Sequence, residues 1–334
     1  MKRILLIQTG GTIAMGIRSE NEGEVSNQAC TNNLISLIPQ LSELAELTVK
    51  DLFFKDSSDI DPDDWYSLAV EIEKDYLNYD GFVVLHGTDT MAYTASAMSF
   101  AFKNLAKPII FTGSQVPLTV LRSDAGRNLI NAVQMATLPF NEVGICFNDK
   151  IYRGNRCTKM SISDFAAYTS PNFPALAEIG LNIQMKYVIT PQVGNFSCKP
   201  FFSREIMVLR MYPGINPIIY LPLLENGVKA VIISAFGSGN FPVTGSSSMI
   251  SFLEKCVERG IFVVIASQAM HDAVDLNKYE SGRIARDLGC LSAYDMTMEA
   301  AITKMMFLLG NYQNQHQIRE LFGKPLAGEL SNLS

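Results

Sequence analysis

Short apolar runs of strand length alternate with longer segments of helical period from the first residues of this chain. That alternation restricts the fold to an α/β class in which crossover helices link parallel strands. Residues 3–8, 46–54, 81–85, 108–111 and 143–147 read as buried strands, each ending in polar or turn-forming residues. The helix between the second and third strands starts at Asp61-Pro62-Asp63-Asp64, with Asp61 as N-cap and Pro62 in the first helical position. Behind it Trp65, Leu68, Ala69, Ile72 and Tyr76 keep one apolar stripe, as do Met91, Ala95, Met98 and Phe102 in the next helix. Both stripes read as core packing against a sheet. Periodicity lapses around TPQVGNFSCKPFF and then resumes, with strands near 205–211, 230–235 and 261–266 and helices near 247–258 and, from a Thr297 cap, 298–309. The expected architecture is two α/β domains. A larger N-terminal domain on a mostly parallel sheet spans 1–189, a linker 190–204, and a smaller C-terminal parallel-sheet domain 205–334.

Composition narrows the function. The 334 residues are 48% hydrophobic and only 18% charged, which supplies a sizeable core, and the net charge of −6 disfavours a phosphate-binding surface, so nucleic acid is not expected as a partner. No apolar run approaches the ~20 residues that span a bilayer. The apolar run at residues 4–7 ends at Gln8, too short for a signal peptide, so a cytoplasmic protein is expected. Six scattered cysteines without a CxxC pair read as reduced structural thiols, and neither a metal nor an organic cofactor is expected. A P-loop spacing at Gly11–Gly16 lacks its lysine, since Ile17 follows, and no GxGxxG, HExxH or GxSxG occurs. With only His86, His271 and His316, a histidine-based centre is hard to assemble.

The segments after successive N-terminal strands are chemically alike: Thr9-Gly10-Gly11-Thr12, Lys55-Asp56-Ser57-Ser58-Asp59, His86-Gly87-Thr88-Asp89-Thr90 and Thr112-Gly113-Ser114-Gln115. In an open parallel sheet these loops share the carboxyl edge, where ligands bind. Any one of them is explained by ordinary turn and cap chemistry. Together they offer hydroxyl nucleophiles in Thr12 and Thr88, acids in Asp56 and Asp89, and backbone N–H groups beside glycines, a set suited to acyl chemistry on a small zwitterion. His86 reads as a loop-holding residue, and Lys159, judged by its surroundings in the sequence, as a solvated surface lysine.

Thr9-Gly10-Gly11-Thr12-Ile13 and His86-Gly87-Thr88-Asp89-Thr90-Met91 resemble the two signature segments of L-asparaginases, specifically the type I cytoplasmic bacterial branch. The resemblance runs on through Asp56-Ser57-Ser58-Asp59, Tyr152-Arg153-Gly154-Asn155-Arg156, Tyr212-Pro213-Gly214 and Asp295-Met296-Thr297. It implies hydrolysis of L-asparagine to L-aspartate and ammonia through a covalent acyl-enzyme. Thr12 would be the nucleophile, and Thr88, Asp89 and Lys159 a second catalytic group in which a neutral lysine takes a proton from a threonine hydroxyl. Asp56, Ser57, Ser58, Thr88 and Asp89 would surround the substrate, with Asp89 on the α-ammonium and Ser57 on the α-carboxylate. A glutaminase or mixed amidase is the rival activity. A non-catalytic amino-acid-binding regulator and the amidase subunit of a tRNA amidotransferase are more distant alternatives. Family members assemble as homodimers or homotetramers.

Two departures accompany the resemblance. Many relatives carry a tyrosine in the segment after the nucleophile, but here 17–26 reads IRSENEGEVS, and this Glu-rich stretch reads as a lid. Tyr279 resembles a second family tyrosine that reaches an active site from the C-terminal domain, including that of a neighbouring subunit. Some type I relatives also bind asparagine at a regulatory site through residues matching Thr158, Ser234 and Ala269; the last two replace an arginine and a cysteine. Without the arginine's bidentate grip on a carboxylate, activation by asparagine is expected to be weak or absent.

Overall fold

The computed structural model describes residues 1–14, 27–187 and 194–331. Two compact units divide the chain, Met1–Pro200 and Phe201–Ser334. The proposed lid lies outside the described residues, and so do positions 190–193 of the expected linker.

The strands of the first unit are β1 (Arg3–Gly10), β2 (Glu46–Lys55), β3 (Gly81–Leu85), β4 (Phe102–Lys103), β5 (Ile109–Thr112), β6 (Val143–Phe147), β7 (Lys150–Arg153), β8 (Thr158–Lys159), β9 (Tyr168–Thr169), β10 (Ala177–Ile179), β11 (Ile183–Met185) and β12 (Ser197–Cys198). Its helices are α1 (Asn27–Leu37), α2 (Leu41–Leu44), α3 (Pro62–Asp75), α4 (Met91–Ala101) and α5 (Ala125–Ala136). Eight strands form one sheet in the order β11-β10-β7-β6-β5-β3-β1-β2. Five of them, β2, β1, β3, β5 and β6, run parallel. β3 and β6 are buried along their whole length, and β1 from Ile4 onward, which is why these segments read as continuous apolar runs rather than alternating ones.

Helices cover both faces. Ile4, Leu6, Val83, Leu85 and Ile110 pack with Cys30 and Leu34 of α1 and with Leu129, Ala132 and Val133 of α5. On the other side α3 and α4 are joined by Trp65 Nε1 donating to Thr94 Oγ1 at 3.0 Å. The Asp61 cap forms as the sequence indicates, its carboxylate accepting from Asp63 N at 2.8 Å while Asp64 returns a bond to Asp61 N at 3.0 Å. α4 differs from its expected stripe: nearly every residue from Met91 to Ala101 is buried, and Phe102 lies beyond the helix end.

The antiparallel extension β7-β10-β11, which pairs onto β6, has no counterpart in the expected strands. It begins at a two-residue hairpin whose Asn148 and Asp149 both have positive φ, 45° and 61°, matching a type I′ turn. Asn131 Nδ2 holds Asp149 Oδ1 at 3.0 Å from α5. Within the expected linker, β12 pairs with β4 on the first unit.

The second unit contains β13 (Ile206–Arg210), β14 (Ala230–Ala235), β15 (Phe262–Ser267) and β16 (Leu291–Ser292), all parallel and in that order. Its helices are α6 (Ile250–Glu258), α7 (Glu280–Asp287), α8 (Met298–Asn311) and α9 (Gln315–Phe322). The Thr297 cap of α8 accepts from Ala300 N at 3.2 Å. One core feature carries no sequence signal. Lys304 of α8 and Glu329 meet at 2.5 Å with both side chains fully buried, and the amine also donates to the carbonyls of Phe322 and Lys324 at 2.7 Å.

Burial pushes the Cys198, Cys256 and Cys290 thiols up to about 12, which keeps them protonated and unreactive. Among the described residues no helix is long and apolar enough to cross a membrane.

Candidate active site

Because β2, β1, β3 and β5 are parallel neighbours, the four loops that follow them emerge at one edge of the sheet. Three are pressed together through glycine. A Cβ on Gly11, whose φ is +77°, would fall 2.4 Å from Gly87 Cα, and one on Gly87 would fall 2.7 Å from Ser57 Oγ. Thr12 and Thr88 therefore each follow one glycine of a contacting pair. Thr12 is half-buried and opens a single helical turn, Thr12–Ala14. The N–H of Gly11 is spent on the Lys55 carbonyl at 3.2 Å, so it does not serve as an oxyanion donor.

The third loop carries the densest chemistry. Lys159 Nζ lies 2.7 Å from Thr88 Oγ1 and 2.6 Å from Asp89 Oδ1. Its side chain is only 15% exposed, whereas that of Asp89 is 64% exposed, so Lys159 is not the solvated lysine its sequence surroundings suggest. The lysine reaches this point from the two-residue ladder of β8 and β9, in which it pairs with Tyr168. Tyr168 itself donates its hydroxyl to the Thr88 carbonyl. A hydroxyl, an amine and a carboxylate in series can pass a proton along the set.

His86 underlies this loop. Burial pushes its pKa down to about 4, so the ring is neutral, and its Nδ1 donates to the Gly87 carbonyl at 2.7 Å. Its Nε2 is buried without a hydrogen-bond partner among the described residues. The ring thus holds the loop from below.

Ser57 is buried, its Oγ accepting from Asp89 N at 3.3 Å and its carbonyl from Thr90 Oγ1 at 2.6 Å. Asp56 is exposed and takes Ser58 Oγ at 2.6 Å and Ser58 N at 2.9 Å. Those two bonds from Ser58 hold its carboxyl below the usual carboxylate range. Asp56 and Ser58 are thus engaged with each other as a turn cap. Tyr279 belongs to the second unit, where it is 46% exposed beside Lys278 and precedes α7. It is not among the residues that the first unit brings together.

Two participants escaped the sequence reading. Gln115 stood in the fourth strand-end loop without a role, and its Oε1 lies 3.3 Å from Thr88 Oγ1. Tyr168 left no signal, because its partner Thr88 is 80 residues away.

The chain resembles known proteins along nearly its whole length. Residues 3–191 match the family model for the N-terminal domain of asparaginase, and residues 205–322 the model for the glutaminase/asparaginase C-terminal domain. The chain is 39% identical to L-asparaginase 1 of Escherichia coli strain K12 over 338 residues, covering 99% of this chain and 98% of that one. The crystal structure of L-asparaginase I from Vibrio cholerae superposes with a TM-score of 0.88 at 39% identity, covering 99% of each chain. The thermostable L-asparaginase from Thermococcus kodakarensis does so with a TM-score of 0.89 at 31% identity, again over 99% of each. Fold and matches together make the chain an amidohydrolase. It belongs to the asparaginase family, with the two-domain organisation of both matched models.

Proposed function

We propose that the protein hydrolyses L-asparagine to L-aspartate and ammonia through a covalent acyl-enzyme. The observation that carries this reading is the series Thr88 Oγ1, Lys159 Nζ, Asp89 Oδ1, with links of 2.7 and 2.6 Å, on the loop packed against the one that carries Thr12. Thr12 Oγ attacks the side-chain amide carbon and its proton passes to the departing nitrogen, which leaves as ammonia. Water then attacks the resulting ester, giving up a proton, and Thr12 recovers its own as L-aspartate departs. The Thr88–Lys159–Asp89 series supplies the acceptor for these protons once Lys159 is neutral.

Substrate orientation follows from charge. The exposed carboxylate of Asp89 pairs with the α-ammonium, and Ser57, Ser58 and Asp56 line the side that takes the α-substituents. Tyr279 is proposed to act from the C-terminal domain of a neighbouring subunit in a homodimer or homotetramer, and the protein to work in the cytoplasm. Glutamine remains the competing substrate, because one methylene changes binding by only about 1–3 kcal/mol.

Ammonia release from L-asparagine and L-glutamine, measured on the parent, Thr12→Ala and Thr88→Val proteins, tests this reading. Turnover confined to the parent and a higher kcat/KM for asparagine are expected. Full turnover in either variant would overturn the mechanism, and equal specificity constants the substrate assignment.

A further inference from the structure

We infer that Gln115 is a positioning residue that sets the direction of the Thr88 hydroxyl hydrogen, and through it the proton state from which Lys159 must start. The inference rests on the proposed role of the Thr88–Lys159–Asp89 series. An ammonium has only hydrogens to give, so Lys159 donates to both Thr88 Oγ1 at 2.7 Å and Asp89 Oδ1 at 2.6 Å. The Thr88 oxygen is then an acceptor toward the lysine, and its own hydrogen needs a different partner. Gln115 Oε1, at 3.3 Å, is that partner.

The orientation of the Gln115 amide is dictated by its surroundings. Its Nε2 donates to the carbonyls of Asp164 at 3.1 Å and Ser161 at 3.4 Å. Two carbonyls demand the NH2 end, which leaves the oxygen to face Thr88. The backbone is held as well: Gln115 N donates to both oxygens of Asp124 at 3.1 Å, and Asn128 Nδ2 ties Asp124 Oδ2 at 3.1 Å to the Gly113 carbonyl at 2.9 Å. Residues 161–164 lie two to five positions after Lys159, so one amide anchors both the threonine and the loop behind its lysine.

This arrangement has a chemical consequence. For Lys159 to accept the Thr88 proton, the amine must first lose one of its own, and the hydroxyl hydrogen must turn from Gln115 to Nζ. The amide oxygen opposes that turn and stabilises the charged lysine. The other charged or titratable groups at this point are Asp89 on the lysine, Tyr168 on the Thr88 carbonyl, Asp124 on the Gln115 backbone, and Asp164, whose carboxylate caps Ala166 N at 2.9 Å.

The test is the pH dependence of kcat/KM for L-asparagine in the parent, Gln115→Met and Gln115→Glu proteins. Methionine removes the acceptor, so the hydroxyl turns to the amine and the acid limb moves to lower pH by about one unit, a tenfold change in proton affinity. Glutamate is a stronger acceptor and adds negative charge beside the ammonium, so its acid limb moves to higher pH. Opposite displacements are a signature that mere loosening of the loop does not produce. Profiles that superimpose on the parent after scaling, that move together, or that move with reversed signs would overturn the inference. Should the methionine variant fail to fold, Gln115→Ala, which also removes the acceptor, takes its place, and an acid limb that does not move to lower pH overturns the inference. Retained turnover in Thr12→Ala or Thr88→Val defeats the underlying mechanism, whereas loss there combined with unmoved Gln115 profiles defeats only this inference.

Discussion

Lys159 and Tyr168 are cross-strand partners in one two-residue ladder, and both end on Thr88, the amine on its hydroxyl and the phenol on its carbonyl. The ladder thus delivers the lysine and clamps its target in the same register. Removing the phenol hydroxyl with Tyr168→Phe is expected to lower kcat more than it raises KM. Stability should fall by about 0.5–1.5 kcal/mol, the usual net worth of one hydrogen bond. Steady-state kinetics alongside urea denaturation measure both effects.

Lys159→Met separates chemistry from folding. Loss of the proposed proton acceptor should reduce kcat by about 10²–10⁴-fold. The exposed Asp89 it leaves behind stays hydrated, so the melting temperature should hardly change. A large drop in melting temperature would show that the lysine's role is structural.

His86 gives stability a pH dependence. Its pKa is about 4 in the folded protein against an ordinary value of 6.5, so the folded state resists protonation that the unfolded chain accepts. Its contribution is whole above pH 6.5, declines as pH falls toward 4, and amounts to about 3 kcal/mol across that window. Denaturation at a series of pH values should show the decline in the parent and a flatter curve in His86→Gln. Parallel curves would contradict the burial argument.

The Lys304–Glu329 pair behaves differently when one partner or both are removed. Lys304→Met alone leaves a buried carboxylate with only the backbone N–H groups of Leu326 and Ala327 as partners among the described residues and should cost about 3–5 kcal/mol, while adding Glu329→Leu should restore part of it, since those N–H groups then lose their acceptor. Denaturant midpoints of the two variants decide whether the coupling is present.

The initial rate is expected to rise hyperbolically with L-asparagine. Ser234 is a buried residue of β14, and Ala269 follows the Gln268 amide that donates to the carbonyls of Met211 and Ser234. Neither supplies a cation for a second asparagine. A clearly sigmoidal curve would count against this.

What the sequence made legible follows from how locally each feature is encoded. β1, β3, β6 and β14 announce themselves because burial on both faces leaves uninterrupted apolar runs, and Asp61 and Thr297 because a cap acts within three residues. The four strand-end loops could be placed at one edge because parallel pairing puts them there. β10 and β11 stayed hidden, being three residues long with mixed exposure. Gln115 and Tyr168 could not be assigned, since each acts on a threonine 27 or 80 residues away and nothing in its neighbourhood encodes that distance. Lys159 was assigned through resemblance rather than pattern, because a two-residue strand leaves no periodicity to read.

The interior ion pair of the second unit also fixes when that unit can finish folding. The amine of Lys304 sits in the middle of α8 with no exposed surface, and the carboxylate facing it arrives only 25 residues later in synthesis. Until residue 329 has left the ribosome, α8 must keep a bare charge in water. A nascent chain stalled before that point should be cut readily within the second unit, and the released chain should resist.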